Sequence, residues 1–444
     1  MLSESRLRTR RGLTSMPGRM IVGVVAGLVA TAVLLQACGQ ASASGTSGSR
    51  LGADSSRHTT TSRASGSAVS ARFFGMHAPT LDTAYPKAKV GSYDLTTNGV
   101  YWPDIETAPG TYDFTKLDLL VDRARSKHAQ PLLVLGQTPA FDSTQPGAAN
   151  VHATMPKMGA WKAYVSALVN RYGTKIDYGI WPEPNITENW SGTPKQLATL
   201  VSAASKIIHA KAKHAVVVSP AFVLRLKFEQ KFMNAFFASK VGGKPIGRSV
   251  DAVGVDPYPL VNGTPEDSLG LIKDAGKILK KHKVKAPLWN VEINFGVVGG
   301  HAGGKHWSNT KQQQYLVRNY LLDAGASVAR VYWLGWFSFS EAAVQLVQSD
   351  GVTPTPAATS LGVVQTWLTG ERVSPCARAK KTKIWSCKLV AKGHTSWVYW
   401  VTRGTAYVKA PQKTRKVSTI TGSTKKTHPG KRLKVTASPI WVHR

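Results

Sequence analysis

Acids are scarce in this 444-residue chain: 24 Asp and Glu stand against 57 Lys and Arg, for a formal charge of +33. A chain so far from neutral surrounds itself with a field that attracts anionic polymers and lipid head groups. Cysteine is scarcer still. Cys38, Cys376 and Cys387 are the only three, too few for a thiolate zinc site. His301 and His306 share one Gly-rich stretch, but two histidines without a nearby acid do not make a metal centre, so no metal is expected. Long apolar runs are missing as well. The one from Ile21 to Leu35 is short for a membrane span. There is no internal repeat, and no Gly-x-Ser-x-Gly elbow, phosphate-cradling loop or dinucleotide fingerprint, which removes several enzyme classes and leaves no cofactor to expect.

What is present begins with an address. Arg6, Arg8, Arg10, Arg11 and Arg19 precede the short apolar run, the pattern of an export signal. The run ends Leu35-Gln36-Ala37-Cys38, followed by a Ser/Ala/Gly/Thr-rich stretch to about Ser70. This resembles the lipobox of bacterial lipoproteins, which implies a signal peptide over 1–37, a lipid anchor on Cys38 and a flexible tether over 38–70. The protein is then held on the outer face of the bacterial cytoplasmic membrane, simple secretion being the alternative. With Cys38 acylated, Cys376 and Cys387 flank a short basic loop in an exported protein and are expected to form a disulfide.

Residues 71–370 alternate short β-prone runs with helical patterns, the grammar of a parallel sheet covered by helices. Eight strands are expected, at Arg72 to Met76, Lys89 to Leu95, Pro131 to Leu135, Lys175 to Trp181, Ala215 to Ser219, Asp251 to Val255, Leu288 to Ile293 and Ala329 to Leu334. Helical spacing runs through Met158 to Tyr172, Pro194 to Lys211, Pro265 to Lys281 and Thr310 to Ala324, with Gly173 and Gly325 as stops. Eight such units predict an α/β fold of the (β/α)8 TIM-barrel type. From 371 to 444 the pattern changes to short strands between Gly, Pro and Lys-rich turns, predicting a small all-β sandwich domain. That last segment holds 18 Lys and Arg against the single acid Glu371, a surface suited to an anionic cell-envelope polymer or a membrane. Nucleic acid is disfavoured as its partner, because the segment lacks the ordered aromatic pairs of single-strand binders and the export signal places it outside the cell.

Two stretches carry chemistry. Gly179-Ile180-Trp181-Pro182-Glu183-Pro184-Asn185 is an apolar run ending in a carboxylate fenced by two prolines, which stiffen the backbone on both sides. Pro287-Leu288-Trp289-Asn290-Val291-Glu292-Ile293-Asn294 is a second β-prone run with one acid near its end. Either glutamate alone is an ordinary solvated or salt-bridged residue. As a pair at the carboxyl ends of barrel strands they meet on one face, and two facing carboxylates are the minimum equipment for cleaving a glycosidic bond.

The segment Ile180 to Trp190, with Gly99-Val100-Tyr101-Trp102-Pro103-Asp104-Ile105-Glu106 and Gly110-Thr111-Tyr112-Asp113-Phe114 upstream, resembles clan A glycoside hydrolases, family 39 in particular. The resemblance implies a retaining glycosidase with no cofactor, acting on a poly- or oligosaccharide, with Glu183 as acid/base and Glu292 as nucleophile. It also implies that Tyr258 bonds the nucleophile and that Trp333 floors the sugar site. Asp94, Trp102, Trp181, Asn185 and Trp336 are expected to bind substrate with them, and Trp190 and Trp307 are further rings near strand ends. Three positions depart from the family pattern: Pro182 stands where Asn precedes the acid/base, Asp94 where an Arg sits beside the nucleophile, and Asp256 near a family His. These departures support an alternative, a glycan-binding lipoprotein on a barrel that has lost hydrolysis.

Overall fold

The computed structural model describes residues 67–297, 307–337, 342–391 and 393–444. The expected signal peptide, Cys38, most of the expected tether, and His301 and His306 lie outside the described residues. Nine parallel strands form one sheet: β1 (Phe74–His77), β2 (Ser92–Asp94), β3 (Gln130–Leu135), β4 (Asp177–Ile180), β5 (Val217–Val218), β6 (Phe222–Val223), β7 (Val253–Asp256), β8 (Leu288–Ile293) and β9 (Arg330–Trp333). Their order is β5-β4-β3-β2-β1-β9-β8-β7-β6. The two ends of this sheet are therefore successive pieces of one stretch of chain. Val218 also bridges Ala252 in parallel, so the sheet curls round on itself as a TIM-like barrel. The break between β5 and β6 falls at Ser219-Pro220-Ala221, where the proline has no N–H to give a ladder. The sequence predicts a single strand here, from Ala215 to Ser219, and misses its continuation.

Among the described residues seven long helices pack outside: α1 (Thr115–Ser126), α2 (Met158–Tyr172), α3 (Pro194–Lys211), α4 (Lys227–Ala238), α5 (Pro265–Lys281), α6 (Asn309–Gly325) and α7 (Pro356–Leu368). Three of them start on the same device, a threonine cap followed by proline: Thr193, Thr264 and Thr355 each accept a hydrogen bond from a backbone N–H of the first turn, while the proline occupies a position that needs no donor. Gly173 ends α2 with φ +52°. Gly325 does something else. It is the last residue of α6, and a Cβ there would lie 2.7 Å from Cys376 Sγ, so it is small in order to admit the C-terminal unit.

Strand alternation sorts the core into two compartments. Phe74, Met76, Tyr93, Leu133, Leu135, Val253 and Val255 belong to the large core between sheet and helices. Leu132, Val218, Ala252, Trp289, Val291 and Tyr332 fill the barrel interior. Below them Arg330 and Asp177 form a buried pair at 2.5 Å, with Gln130 on the other carboxylate oxygen at 3.2 Å and the guanidinium 3.9 Å above the Trp289 ring. Gly91, at the entry to β2, faces backbone: its Cβ would sit 2.1 Å from the Ala71 carbonyl oxygen. Gly91→Ala is expected to cost about 3 kcal/mol or more, because neither backbone can yield cheaply; thermal unfolding measures it, and an unchanged midpoint would contradict this packing.

The C-terminal unit is all-β. Strands β10 (Arg372–Val373), β11 (Ala377–Arg378), β12 (Trp385–Ala391), β13 (His394–Trp400), β14 (Ala406–Lys409), β15 (Lys416–Thr419), β16 (Thr424–Lys426), β17 (Arg432–Val435) and β18 (Ile440–His443) pair antiparallel. Seven form a sheet in the order β10-β12-β13-β18-β15-β16, with β11 on β12, and β14 pairs β17 separately. Cys376 and Cys387 are joined in a disulfide. The ordered fold starts before residue 71: Val69 is buried and its N–H donates to the Glu371 carbonyl at 2.8 Å, so the end of the expected tether is woven into the junction of the two units. Among the described residues no helix is long and apolar enough to cross a membrane.

Candidate active site

The carboxyl ends of the parallel strands form one mouth, where a TIM-like barrel displays its working side chains. His77 ends β1, Asp94 ends β2, Asp256 ends β7, Glu292 is one residue short of the end of β8, and Glu183 and Tyr258 follow β4 and β7. In a chain poor in acids, four carboxyls meet here.

Glu292 owes its direction to a bulge. Asn290 points to the helix layer, donating to Asp323 on α6 at 2.9 Å, and strict alternation would send Glu292 the same way. However, Asn290 pairs with Val331 while Ile293 pairs with Trp333, so β8 carries one extra residue. A bulge re-aims the side chain at that point, and Glu292 turns into the mouth. There Tyr258 Oη donates to its Oε1 at 2.7 Å, and His77 Nε2 lies 3.6 Å from Oε2.

Glu183 is placed by a tight reversal. Trp181 and Glu183 have φ of +72° and +37°, left-handed backbone that L residues hold only where the surroundings enforce it. The Trp181 ring is thereby thrown outward between Trp161 and Trp190, its Nε1 donating to the Asn189 carbonyl at 2.7 Å. Glu183 comes back toward the mouth, and Asn189 Nδ2 donates to its Oε2 at 3.3 Å.

The electrostatics divide the two glutamates. Burial pushes the Glu183 carboxyl up to about 8, the charge on Glu292 adding to the effect and Arg225 opposing it. Burial raises Glu292 as well, but His77 and the Tyr258 hydrogen bond pull it back, while Asp94 pushes it up. Asp256 is driven well above the carboxylate range by burial and by Glu292, Glu183 and Asp94. A carboxyl whose native pKa is raised binds its proton more tightly folded than unfolded, so its contribution falls as pH climbs from the ordinary glutamate value of about 4.3 toward the native one. Glu183→Gln should therefore raise the unfolding temperature at about pH 8 relative to wild type and flatten the loss of stability above about pH 5; a variant destabilised equally at both would mean that the carboxyl is not held neutral.

Several expected contacts fall elsewhere. Trp102 is fully buried against Tyr164 and Trp161, its indole N–H on Glu106; Trp181 and Trp190 are buried in the same layer, so none of the three offers a face to a sugar. Asn185 is consumed by backbone: Nδ2 donates to the Val223 and Glu229 carbonyls at 2.6 and 3.2 Å, and Oδ1 accepts from Val223 N at 3.1 Å. It clips the turn after Glu183 onto β6 instead of binding substrate. Trp333 faces away from the mouth, stacked 5.9 Å from Tyr320 on α6, because β9 presents Arg330 and Tyr332 to the interior and so must turn Trp333 outward. Trp307 packs edge-on against Tyr315 with Lys311 Nζ 3.5 Å from its centroid. Trp336 is buried beyond β9. Asp94 is buried, accepting from Thr96 N at 2.8 Å, and reaches the site through its charge.

His77, Arg225 and Asn189 were missed. Inward parity on β1 singles out His77, since a Cβ on Gly75 would meet Tyr332 inside the barrel. Arg225 has no comparable signal: it stands near Tyr258, 5.9 Å from the ring, only because β6 delivers it. Asn189 is delivered by the turn that follows Glu183.

The sequence matches no protein-family profile and no curated protein, but the structure superposes on solved ones. A family 39 glycoside hydrolase from Bacteroides cellulosilyticus WH2 aligns with TM-score 0.64 at 16% identity, over 80% of this chain and 75% of that one. The fold is shared with these glycoside hydrolases. A family 30 endoxylanase from Clostridium papyrosolvens C71 gives 0.59 at 12% identity, and a family 39 β-xylosidase from Caulobacter crescentus gives 0.57 at 14%, each over 85% of this chain and 97% of the other.

Proposed function

We propose that this protein is an exported retaining glycoside hydrolase, lipid-anchored through Cys38, with the curled sheet acting as an eight-stranded barrel whose fifth strand is broken and the basic C-terminal unit as a sandwich facing an anionic envelope polymer. Glu183 is the acid/base and Glu292 the nucleophile. The observation that carries the reading is the divided pair: a glutamate kept protonated at neutral pH by burial and a neighbouring charge, opposite one that a tyrosine hydroxyl and a histidine help to ionise. Glu183 would protonate the leaving oxygen while Glu292 attacks the anomeric carbon, and Glu183 would then activate water to release the covalent intermediate.

Activity on aryl glycosides and envelope polysaccharides tests it, with nuclear magnetic resonance of the first product to read the anomer. Retention is expected; inversion would remove Glu292 from the nucleophile role. Because the reaction needs Glu183 protonated and Glu292 ionised, kcat/KM should fall as pH rises through about 8 and fall again on the acid side as Glu292 takes up its proton; activity still climbing at about pH 9 would count against the assignment. Pro182 favours a second reading, glycan binding without turnover, since it has no side-chain donor for a sugar hydroxyl. Saturable binding with no hydrolysis, unaltered by restoring Asn at 182, would support that reading.

A further inference from the structure

Hydrolysis of a glycosidic bond employs two carboxyls and leaves Asp256 unexplained. Ala252 and Gly254 face the barrel interior, while Val253 and Val255 pack in the outer core, so alternation directs Asp256 inward. It is 2% exposed, and its Oδ1 meets no hydrogen-bond donor among the described residues. The charges that face it are Glu292, Glu183 and Asp94. Neither His77 nor Arg225 pairs with it among the described residues: His77 Nε2 lies 3.2 Å from the Val291 carbonyl and 3.6 Å from Glu292, and Arg225 stands 5.9 Å from the Tyr258 ring. A buried acid among acids must either keep its proton or receive a cation.

We propose that the mouth takes a sugar bearing a protonated amine, as in a glucosamine-type glycan without its N-acetyl groups, the ammonium seated on Asp256 within the field of Asp94. The proposal rests on the glycosidase reading of the same site and names its substrate class. An ammonium brings three donors where a hydroxyl brings one, and its charge lets Asp256 ionise as it enters, with release of the carboxyl proton. A neutral N-acetyl group supplies no such partner, and a uronate would meet four acids. The chain's charge of +33 repels cationic oligomers, so a preference for the amine has to arise locally.

The test is calorimetric binding to full-length Glu183→Gln, in which turnover of oligosaccharides is strongly slowed, at about pH 6, below the ordinary range of an aliphatic amine. Three oligosaccharides of equal length are compared: glucosamine, N-acetylglucosamine and glucose. The glucosamine oligomer should bind about tenfold tighter or better, as a charge-assisted pair in a buried site allows, and Asp256→Asn in the same background should abolish that margin while sparing the neutral oligomers. In Glu183→Gln alone, titration in buffers of different ionisation heat should show proton release with the amine and none with glucose, a readout that survives even if Asp256→Asn does not fold. Equal binding of all three, binding of none, or a loss from Asp256→Asn shared by amine and hydroxyl ligands overturns the proposal; the last would make Asp256 a hydroxyl acceptor. Wild-type turnover is scored separately. Amine-selective binding without hydrolysis would remove the glycosidase reading and keep the recognition, whereas hydrolysis of neutral glycosides with no amine preference would do the reverse.

Discussion

On the proposed mechanism, Glu292→Gln should lower kcat/KM toward an aryl glycoside on the order of 10⁴-fold or more, since removing a nucleophile removes the path through a covalent intermediate and leaves only binding and general electrostatics. Glu183→Gln should behave differently, and the difference is the informative part. Its loss should be about 10²- to 10⁴-fold on substrates with a poor leaving group, which need the proton, and far smaller on the first step with a leaving group as acidic as dinitrophenolate, which departs unaided. The second step still needs Glu183 as base, so with such a substrate the variant should give a burst of phenolate and accumulate the glycosyl-enzyme, visible as added mass on the intact protein. Equal sensitivity of both variants to leaving-group acidity, or turnover surviving in both, would end the two-carboxylate mechanism. Gln keeps nearly the shape of Glu, so Tyr258 and Asn189 have no reason to move far, and the comparison isolates charge.

How much of this could be read from the chain alone differs element by element. The helices Met158–Tyr172, Pro194–Lys211 and Pro265–Lys281 have the bounds that apolar spacing predicts, because capping threonines and prolines mark two of their starts and the spacing is unambiguous over four or five turns. Strand ends are less legible. Lys89 to Leu95 contracts to Ser92–Asp94 since the ladder needs a partner at each residue, and partners are set by neighbours far along the chain. The broken strand at Ser219-Pro220-Ala221 shows the same limit.

The two glutamates stood out because each is a lone acid in an apolar run, and the structure gathers both at one mouth. The aromatic contacts did not, and the reason is geometric. A tryptophan near a strand end can face either way, and one residue of register decides. Trp333 follows simple alternation outward, whereas Trp181 is displaced by a positive φ that no sequence pattern announces. Glu292 is the reverse case: simple alternation would have pointed it at the helices, and only the bulge at Asn290/Ile293 turns it inward. The resemblance places a supporting side chain on β2, where Asp94 stands, yet the structure brings one beside Glu292 from β1, His77. Adjacent strands lie close enough that a polar partner can be provided from either side, so its loss at one position does not leave Glu292 without a neighbour.

Arg318→Leu should destabilise the protein by about 3–5 kcal/mol, the cost of leaving a buried charge without its partner. Arg318 on α6 is 2% exposed and donates through Nε to Glu266 Oε1 at 2.8 Å and through a terminal nitrogen to Oε2. Glu266 sits in the first turn of α5, where the helix dipole favours an acid. The same Oε1 accepts the indole N–H of Trp400 from β13 at 2.7 Å, so one carboxylate holds two barrel helices and the all-β unit together. Removing the guanidinium leaves Glu266 with the indole alone, and the junction loses its cation. Trp400→Phe removes only a hydrogen bond to a charged acceptor and should cost about 1.5–3 kcal/mol. Because both units share a continuous core through Cys376, Leu389 and Trp400, wild type is expected to unfold in one calorimetric transition and Arg318→Leu to separate into two as the junction weakens. The double variant Arg318→Leu/Glu266→Leu should recover part of the loss, since two apolar side chains no longer bury a lone charge. A double variant no more stable than Arg318→Leu would show that packing, not charge pairing, holds the two units together.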